Sequence, residues 1–521
     1  MQTYTAENWL RLRERVDGLS YALVCDEGRW TYGELAREAR RREARLAALL
    51  DLAQGSGRPT ARVAILSGNG PEFVFWLVAC LELGVEAVPL NIRLSVSELR
   101  EQLRGCGAAL VLHDVGRREA ARGLAGEGAR VLAFDEALAA PPLEEQAVRR
   151  LALEQFEPGR VATIMYTSGS TGTPKGVLQS FGNHWHSARM CRQNLHFCPT
   201  DTWGCPTPLF HTSGLSIVMR SLAFGVGVRL YERFDPAQVN ADTLDGTLTC
   251  LSAVTYQIER MLDDMERGPA GYYPPTLRFV LQGGGPLPLS TLARASHLHM
   301  PVVQSFGMTE TASQVVALSP QNAQRKVGSS GRALEGVQVR IATLDGDRVV
   351  DAAPGSDGHI LLKSPSLAVG YLHQPERYAA SFVDDGWFDT KDYGHLDADG
   401  YLYVACRLAD LIVSGGENVY PAEVETVLLA HPRIREVAVV GVPDPRWGSV
   451  PVAVCVADDA AGTPPPPSDG ELNVFCRERL AAYKCPRRAV WVESLPYTAS
   501  GKLKRAALLE PVLEALCIEQ A

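Results

Sequence analysis

The chain predicts an α/β fold. A large N-terminal domain with mainly parallel sheets and a small antiparallel subdomain precedes a small α+β C-terminal domain. Three observations carry this prediction. From Thr31 to beyond Val280, short apolar runs alternate with helical patterns, the rhythm of a largely parallel sheet. After about Leu334 short strands dominate, separated by Gly/Asp turns such as Asp345-Gly346 and Asp399-Gly400. After Arg407 a mixed pattern of strands and helices resumes. The expected domains are therefore 1–407 and 408–521.

Thr31 and Glu34 form a capping-box signature ahead of a helix ending near Leu50. Arg62 to Leu66 is a short buried strand. Pro71 opens an apolar helix through Leu83, and Gly84 stops it. Val85 to Leu90 is the next strand. Ala139 to Pro158, with Pro141-Pro142, is expected to be a polar connector. A strand at Val161 to Met165 restarts the alternation. Val337 to Ile341, His359 to Lys363 and Tyr401 to Val404 are strands of the antiparallel unit. Pro421 starts a helix, Glu436 to Val442 is a strand, and the proline run between Ala461 and Gly470 is an exposed loop.

Composition narrows the class. The 521 residues are 46% hydrophobic and 21% charged, as in globular proteins rather than disordered or collagenous chains. Acidic residues outnumber basic ones by 60 to 51, giving −9, which argues against a nucleic-acid coat as partner. No apolar run approaches a membrane span, since Phe73 to Leu81 stops at Glu82. The N-terminus lacks a signal-peptide apolar core. A cytoplasmic enzyme is the expectation. The twelve cysteines show no CxxC spacing, and Cys191, Cys198 and Cys205, seven apart, match no common zinc pattern. His184 and His186 would face apart on a helix.

The chemistry concentrates in Tyr166 to Val177, YTSGSTGTPKGV, directly after a strand. Thr167, Ser168, Gly169, Ser170, Thr171 and Gly172 can wrap backbone N–H groups and hydroxyls around phosphate oxygens, and Lys175 adds charge. It is not a Walker A loop, because Pro174 precedes the lysine and Gly176 follows it. The string resembles the signature of the adenylate-forming superfamily, which includes acyl-CoA synthetases, luciferases and peptide-synthetase adenylation domains.

Further motifs repeat the resemblance in the family's order. Ser305 to Thr311, SFGMTET, resembles the second core motif. The resemblance implies that Phe306 stacks on adenine beside Gly307, that Thr309 contacts the α-phosphate, and that Glu310 helps hold Mg²⁺. Gly283 to Leu287 resembles the adenine-lining loop, with Gly284 and Gly285 at its centre. Asp389 to Asp392 resembles the ribose motif, whose final aspartate, Asp392, binds the sugar; Lys391 stands where glycine is usual. Cys406 to Asp410 resembles the hinge motif around Arg407, with Cys406 and Ala409 as departures. Gly415 and Gly416 match the loop that lines the pantetheine tunnel of relatives, and Lys502 matches the C-terminal catalytic lysine. The resemblance also implies that the C-terminal domain is mobile.

The implied reaction explains the residue types. A carboxylate takes AMP from ATP, expels pyrophosphate, and is then passed as an acyl group to CoA. The carboxylate is itself the nucleophile, so charge neutralisation rather than a general base is required. One cation at about 4 Å is worth roughly 4 kcal/mol at an effective dielectric near 20, before desolvation. Lys502 helps the first step and little the second, so one surface should not serve both.

Segments at Gly182–Ala188, Pro208–Leu222, Gly307–Pro320, Ser414–Glu425 and Pro443–Ala453 resemble the o-succinylbenzoate–CoA ligases of menaquinone synthesis. By that resemblance His211 sits at the mouth of the acyl pocket; a structural histidine is its other reading. Arg220 could meet a second substrate carboxylate or lie on the surface at a helix end. Ligation of a benzoate- or anthranilate-like acid, and loading of a carrier protein, remain open alternatives.

Overall fold

The structure, a computed structural model, describes residues 4, 7–53, 61–167, 174–268, 271–345, 348–415, 417–458, 465–497 and 503–516. Two large sheets are built by the β-α-β rhythm. The first has seven strands, and its centre is parallel: Arg62–Leu66 lies between Glu86–Pro89 and Leu110–His113. The second has nine strands, with a parallel run from Gly227–Leu230 through Thr202–Cys205, Cys250–Ala253 and Phe279–Gln282 to Val302–Met308. Antiparallel partners close both edges of the nine-stranded sheet and one edge of the seven-stranded sheet, whose other edge, Arg130–Ala133, is parallel.

One apolar core spans both sheets. Val63 and Ile65 from the first and Trp203, Val228 and Phe279 from the second belong to it, with residues of helices Tyr32–Leu49, Pro71–Leu83, Phe181–Leu195 and Thr212–Phe224. Burying each large apolar side chain contributes roughly 1.5–3 kcal/mol. The local signals act as expected. Thr31 and Glu34 cap each other's backbone, and Pro71–Leu83 ends at Gly84, whose φ of 66° is left-handed. That helix is apolar around its circumference because every residue but Glu72 is buried.

A six-stranded antiparallel sheet follows, built on Gln338–Asp345, Gly358–Lys363 and Trp387–Leu396. A five-stranded sheet on the long pair Ile434–Asp444 and Gly448–Ala457 forms the C-terminal unit. Two expectations need correction. The stretch 139–158 is not a plain connector, for Glu145–Leu151 is helical: its residues are good helix formers, an acid opens it, arginines close it, and Val148 is buried. The loop expected to reach Gly470 ends earlier, because Ser468 and Glu471 form a capping box that starts helix Asp469–Arg477.

Candidate active site

The phosphate-loop string links two antiparallel strands, Val161–Thr167 and Lys175–Ser180, in a register that sets Thr167 opposite Lys175. Ser168, Gly169, Ser170, Thr171 and Gly172 lie outside the described residues, as do Gly416 and Lys502. The two ends of the loop are well defined. Thr167 Oγ1 is buried and finds no hydrogen-bond partner among the described residues, a polar atom suited to a bound oxygen.

Lys175 reaches Glu310. Its Nζ lies 2.5 Å from Glu310 Oε1 and donates to the Tyr371 hydroxyl at 2.8 Å. That hydroxyl donates in turn to Glu310 Oε1 at 3.0 Å. Burial, then the charge of Glu310, pushes the Tyr371 phenol pKa up. Glu310 is only 6% exposed, so the pairing answers a real desolvation cost. A buried hard carboxylate oxygen beside a phosphate loop fits a magnesium ligand.

Thr309 and Glu310 occupy a 3₁₀ turn, Thr309–Thr311, at the end of strand Val302–Met308. Gln179, four residues and so two strand periods beyond Lys175, donates to Thr309 O at 2.7 Å. Thr163 Oγ1 donates to Gln179 Oε1 at 3.1 Å and contacts His184 Nε2 at 2.9 Å. Burial lowers the pKa of His184 to about 3, so this ring is neutral at physiological pH. Gly307 admits no side chain: a Cβ there would meet Ser313 O at 2.1 Å across the hairpin.

The adenine-loop candidates Gly284 and Gly285 follow the parallel strand Phe279–Gln282, beside the strand that carries Phe306. Gln282 Nε2 donates to Gly285 O at 2.8 Å, and Ser305 Oγ to Gln282 O at 2.8 Å. Nucleotide loops at the carboxyl ends of parallel strands are the usual arrangement in α/β sheets.

The ribose candidate Asp392 faces Arg407 across strands Trp387–Leu396 and Leu402–Arg407. Lys391 has φ 61°, a left-handed conformation that explains why glycine suits this position. Here its amide and ammonium both bind Asp389, at 3.0 and 2.6 Å, and offset the strain. Burial raises the pKa of Asp389, but bonds from His359 and Lys391 outweigh it and hold the carboxyl below its usual range. In the C-terminal unit Gly415, φ 61°, packs so closely on Trp447 that a Cβ would lie 2.7 Å from Cε3.

Of the two substrate candidates, His211 precedes helix Thr212–Phe224 and its ring lies 4.8 Å from that of Phe210. Pro208, Phe210 and Ser213, around it, line a cavity of about 1290 Å³ that extends to Asn69 and Tyr497. Arg220 is not a surface arginine. It is 1% exposed, because its helix is enclosed by the core, and its guanidinium lies 4.9 Å from the Trp203 ring centroid. Its Nη2 donates to Ser313 Oγ at 2.9 Å and Gln314 Oε1 at 2.8 Å, and among the described residues no carboxylate pairs with it. Burial lowers its pKa.

Sequence reasoning missed Tyr371, Gln179 and Thr163. Each acts on the motifs through pairings distant in sequence, and only the period-2 spacing of Lys175, Val177 and Gln179 hinted at a shared strand face. Cys191 and Cys205 are buried free thiols, and Cys198 is a partly exposed one.

Residues 15–372 match the AMP-binding enzyme family, and residues 423–502 match its C-terminal domain. The chain is 40% identical over 505 residues to a 2-succinylbenzoate–CoA ligase of Listeria monocytogenes, covering 96% of this chain and 99% of that one. It is 42% identical over 504 residues to a ligase of the same name from Geobacillus kaustophilus, covering 97% of each. The o-succinylbenzoate CoA synthetase (MenE) of Bacillus subtilis, solved with the acyl-adenylate OSB-AMP, superposes with a TM-score of 0.86 at 37% identity, covering 97% of this chain and 98% of that one. Its complex with ATP and magnesium ion gives 0.86 at 38%, over 97% and 100%.

Proposed function

The chain belongs to the AMP-binding, adenylate-forming enzyme family, and from that premise we propose how its site works. It is an ATP-dependent, AMP-forming acid–CoA ligase whose acid is o-succinylbenzoate, the substrate named for the relatives that match almost its whole length. ATP, Mg²⁺ and CoA are its other reactants and cofactors. Among the described residues no helix is long and apolar enough to cross a membrane. We place the reaction in the cytoplasm, where ATP and CoA are supplied.

The reaction has two halves. A carboxylate oxygen of the acid attacks the α-phosphorus of ATP, the bond to the β-phosphate breaks, and pyrophosphate leaves. The CoA thiolate then attacks the acyl carbon, and AMP leaves with the electron pair. Magnesium, when bound, supplies positive charge to the phosphate oxygens. Glu310 would hold it with Thr309 nearby; Thr167, Ser168, Gly169, Ser170, Thr171, Gly172 and Lys175 would cradle the phosphates. Gly284, Gly285, Phe306 and Gly307 would enclose adenine, and Asp392 with Arg407 the ribose. Lys502 would serve adenylation, and Gly415 and Gly416 the pantetheine arm, from a mobile unit comprising 408–521.

The observation that favours a dicarboxylate is Arg220. A fully buried cation with only neutral described acceptors is costly unless an anion joins it. His211, next to the cavity-lining Phe210, would border the acyl pocket. The test is to supply o-succinylbenzoate, ATP and Mg²⁺ with and without CoA. Acyl-AMP should accumulate without CoA and the thioester with it; failure to form either would refute the assignment.

A further inference from the structure

We propose that Tyr371 is a positioning residue that fixes the Glu310 carboxylate for its metal while Lys175 is released to the phosphates. The proposal rests on Glu310 being a metal ligand. Tyr371 is placed by backbone, not by chance. Strand Gly370–Tyr371 pairs with Lys175–Ser180, setting Tyr371 opposite Val177, and Leu372 N donates to Gly176 O at 2.8 Å. The side chain is 4% exposed and packs edge-on against Tyr378, ring centroids 5.1 Å apart. Its ring lies 4.3 Å from the Lys175 ammonium, while its hydroxyl accepts from that ammonium and donates to Glu310 Oε1.

The hydroxyl therefore bridges two opposite charges that must part when substrate binds. In the pair as it stands, the ammonium of Lys175 occupies the ground in front of Oε1. A metal cation and an ammonium cannot share that oxygen without repulsion, so metal binding sends Lys175 away, and the phosphates are its new partner. Glu310 then loses a partner at the moment its orientation matters. The Tyr371 hydroxyl remains on Oε1, and the ring keeps a face toward the departing ammonium. Carboxylates that bind metals are commonly held by such a second hydrogen bond, whose loss weakens metal binding by about 10-fold or more.

The test uses the full-length enzyme carrying equimolar ATP and no acid substrate. Mn²⁺ is titrated in, and its free aqueous ion is followed by electron paramagnetic resonance. Tyr371→Phe keeps the ring and removes only the hydroxyl, and should need about 10-fold more Mn²⁺ for half-saturation. Glu310→Gln is the reference for loss of the ligand. Tyr378→Phe is the control for disturbed aromatic packing, since its hydroxyl donates to Ala368 O instead. A shift in Tyr371→Phe and Glu310→Gln but not in Tyr378→Phe supports the proposal. A Tyr371→Phe isotherm that matches wild type while Glu310→Gln shifts overturns it and leaves the metal site standing. An equal shift in Tyr378→Phe assigns the effect to packing and overturns it too. An unshifted Glu310→Gln removes the metal reading itself and the proposal with it.

Discussion

Arg407 and Asp392 stand directly opposite each other on adjacent antiparallel strands, Nε to Oδ1 at 2.8 Å. The arginine side chain is 54% exposed and the aspartate 5%, so the arginine covers the carboxylate expected to receive the ribose. A half-exposed pair of this kind contributes at most about 1 kcal/mol, which the two hydroxyls of a ribose can replace. Asp392→Asn removes the charge behind those bonds. It should weaken ATP by about 1.5–3 kcal/mol, roughly 10- to 150-fold, measured calorimetrically. Unchanged ATP affinity would separate Asp392 from the nucleotide.

Lys502→Ala should slow acyl-AMP formation by about 10²–10³-fold, or roughly 2.7–4 kcal/mol, the scale for removing one donor from a charged transition state. Thioester formation from preformed acyl-AMP should change far less. Rapid-quench assays of the two halves separate them, and an equal loss in both would contradict separate constellations.

The effect of Arg220→Ala should depend on the acid. o-Succinylbenzoate should lose about 2–5 kcal/mol of binding as its second carboxylate loses its partner. Benzoate, with one carboxylate, should lose only what the disturbed contacts to Ser313 and Gln314 cost. The ratio of kcat/KM for the two acids, in wild type and variant, cancels the shared structural part. A constant ratio would make Arg220 a structural residue.

Stability should fall as pH rises through neutrality. Glu43 and Glu82 are both buried in the N-terminal core; burial pushes Glu43 up to about 7 and Glu82, also facing the charge of Glu43, up to about 8. Asn8 donates to Glu82 at 2.7 Å, and Arg11 and Arg40 supply partial compensation. Folded-state pKa values above the unfolded value mean that the stabilisation is full below the unfolded carboxylate pKa and is lost as pH passes the folded ones. The thermal midpoint should therefore drop between about pH 4.5 and 8, and the double variant Glu43→Gln, Glu82→Gln should flatten that slope. An equally steep slope in the double variant would place the titration elsewhere.

What was legible in the sequence follows from range. The capping box at Thr31 and the helix from Pro71 to Gly84 are set by neighbours a few residues away. The motif residues could be placed because they form contiguous strings. Tyr371 could not, since it meets Lys175 across 196 residues and Glu310 across 61. The burial of Arg220 was equally hidden, because an arginine near a helix end looks solvated until the helix is enclosed on every side. Helix Glu145–Leu151 was masked by the prolines that precede it.

On the proposed reading, this adenylating site takes an acid with two carboxylates. Steady-state pyrophosphate release across o-succinylbenzoate, benzoate and anthranilate, with ATP, Mg²⁺ and CoA saturating, tests it most directly. The buried Arg220 predicts a kcat/KM for o-succinylbenzoate at least about 30-fold above either monocarboxylate, the lower bound for a paired buried charge. A higher value for benzoate or anthranilate would contradict the assignment.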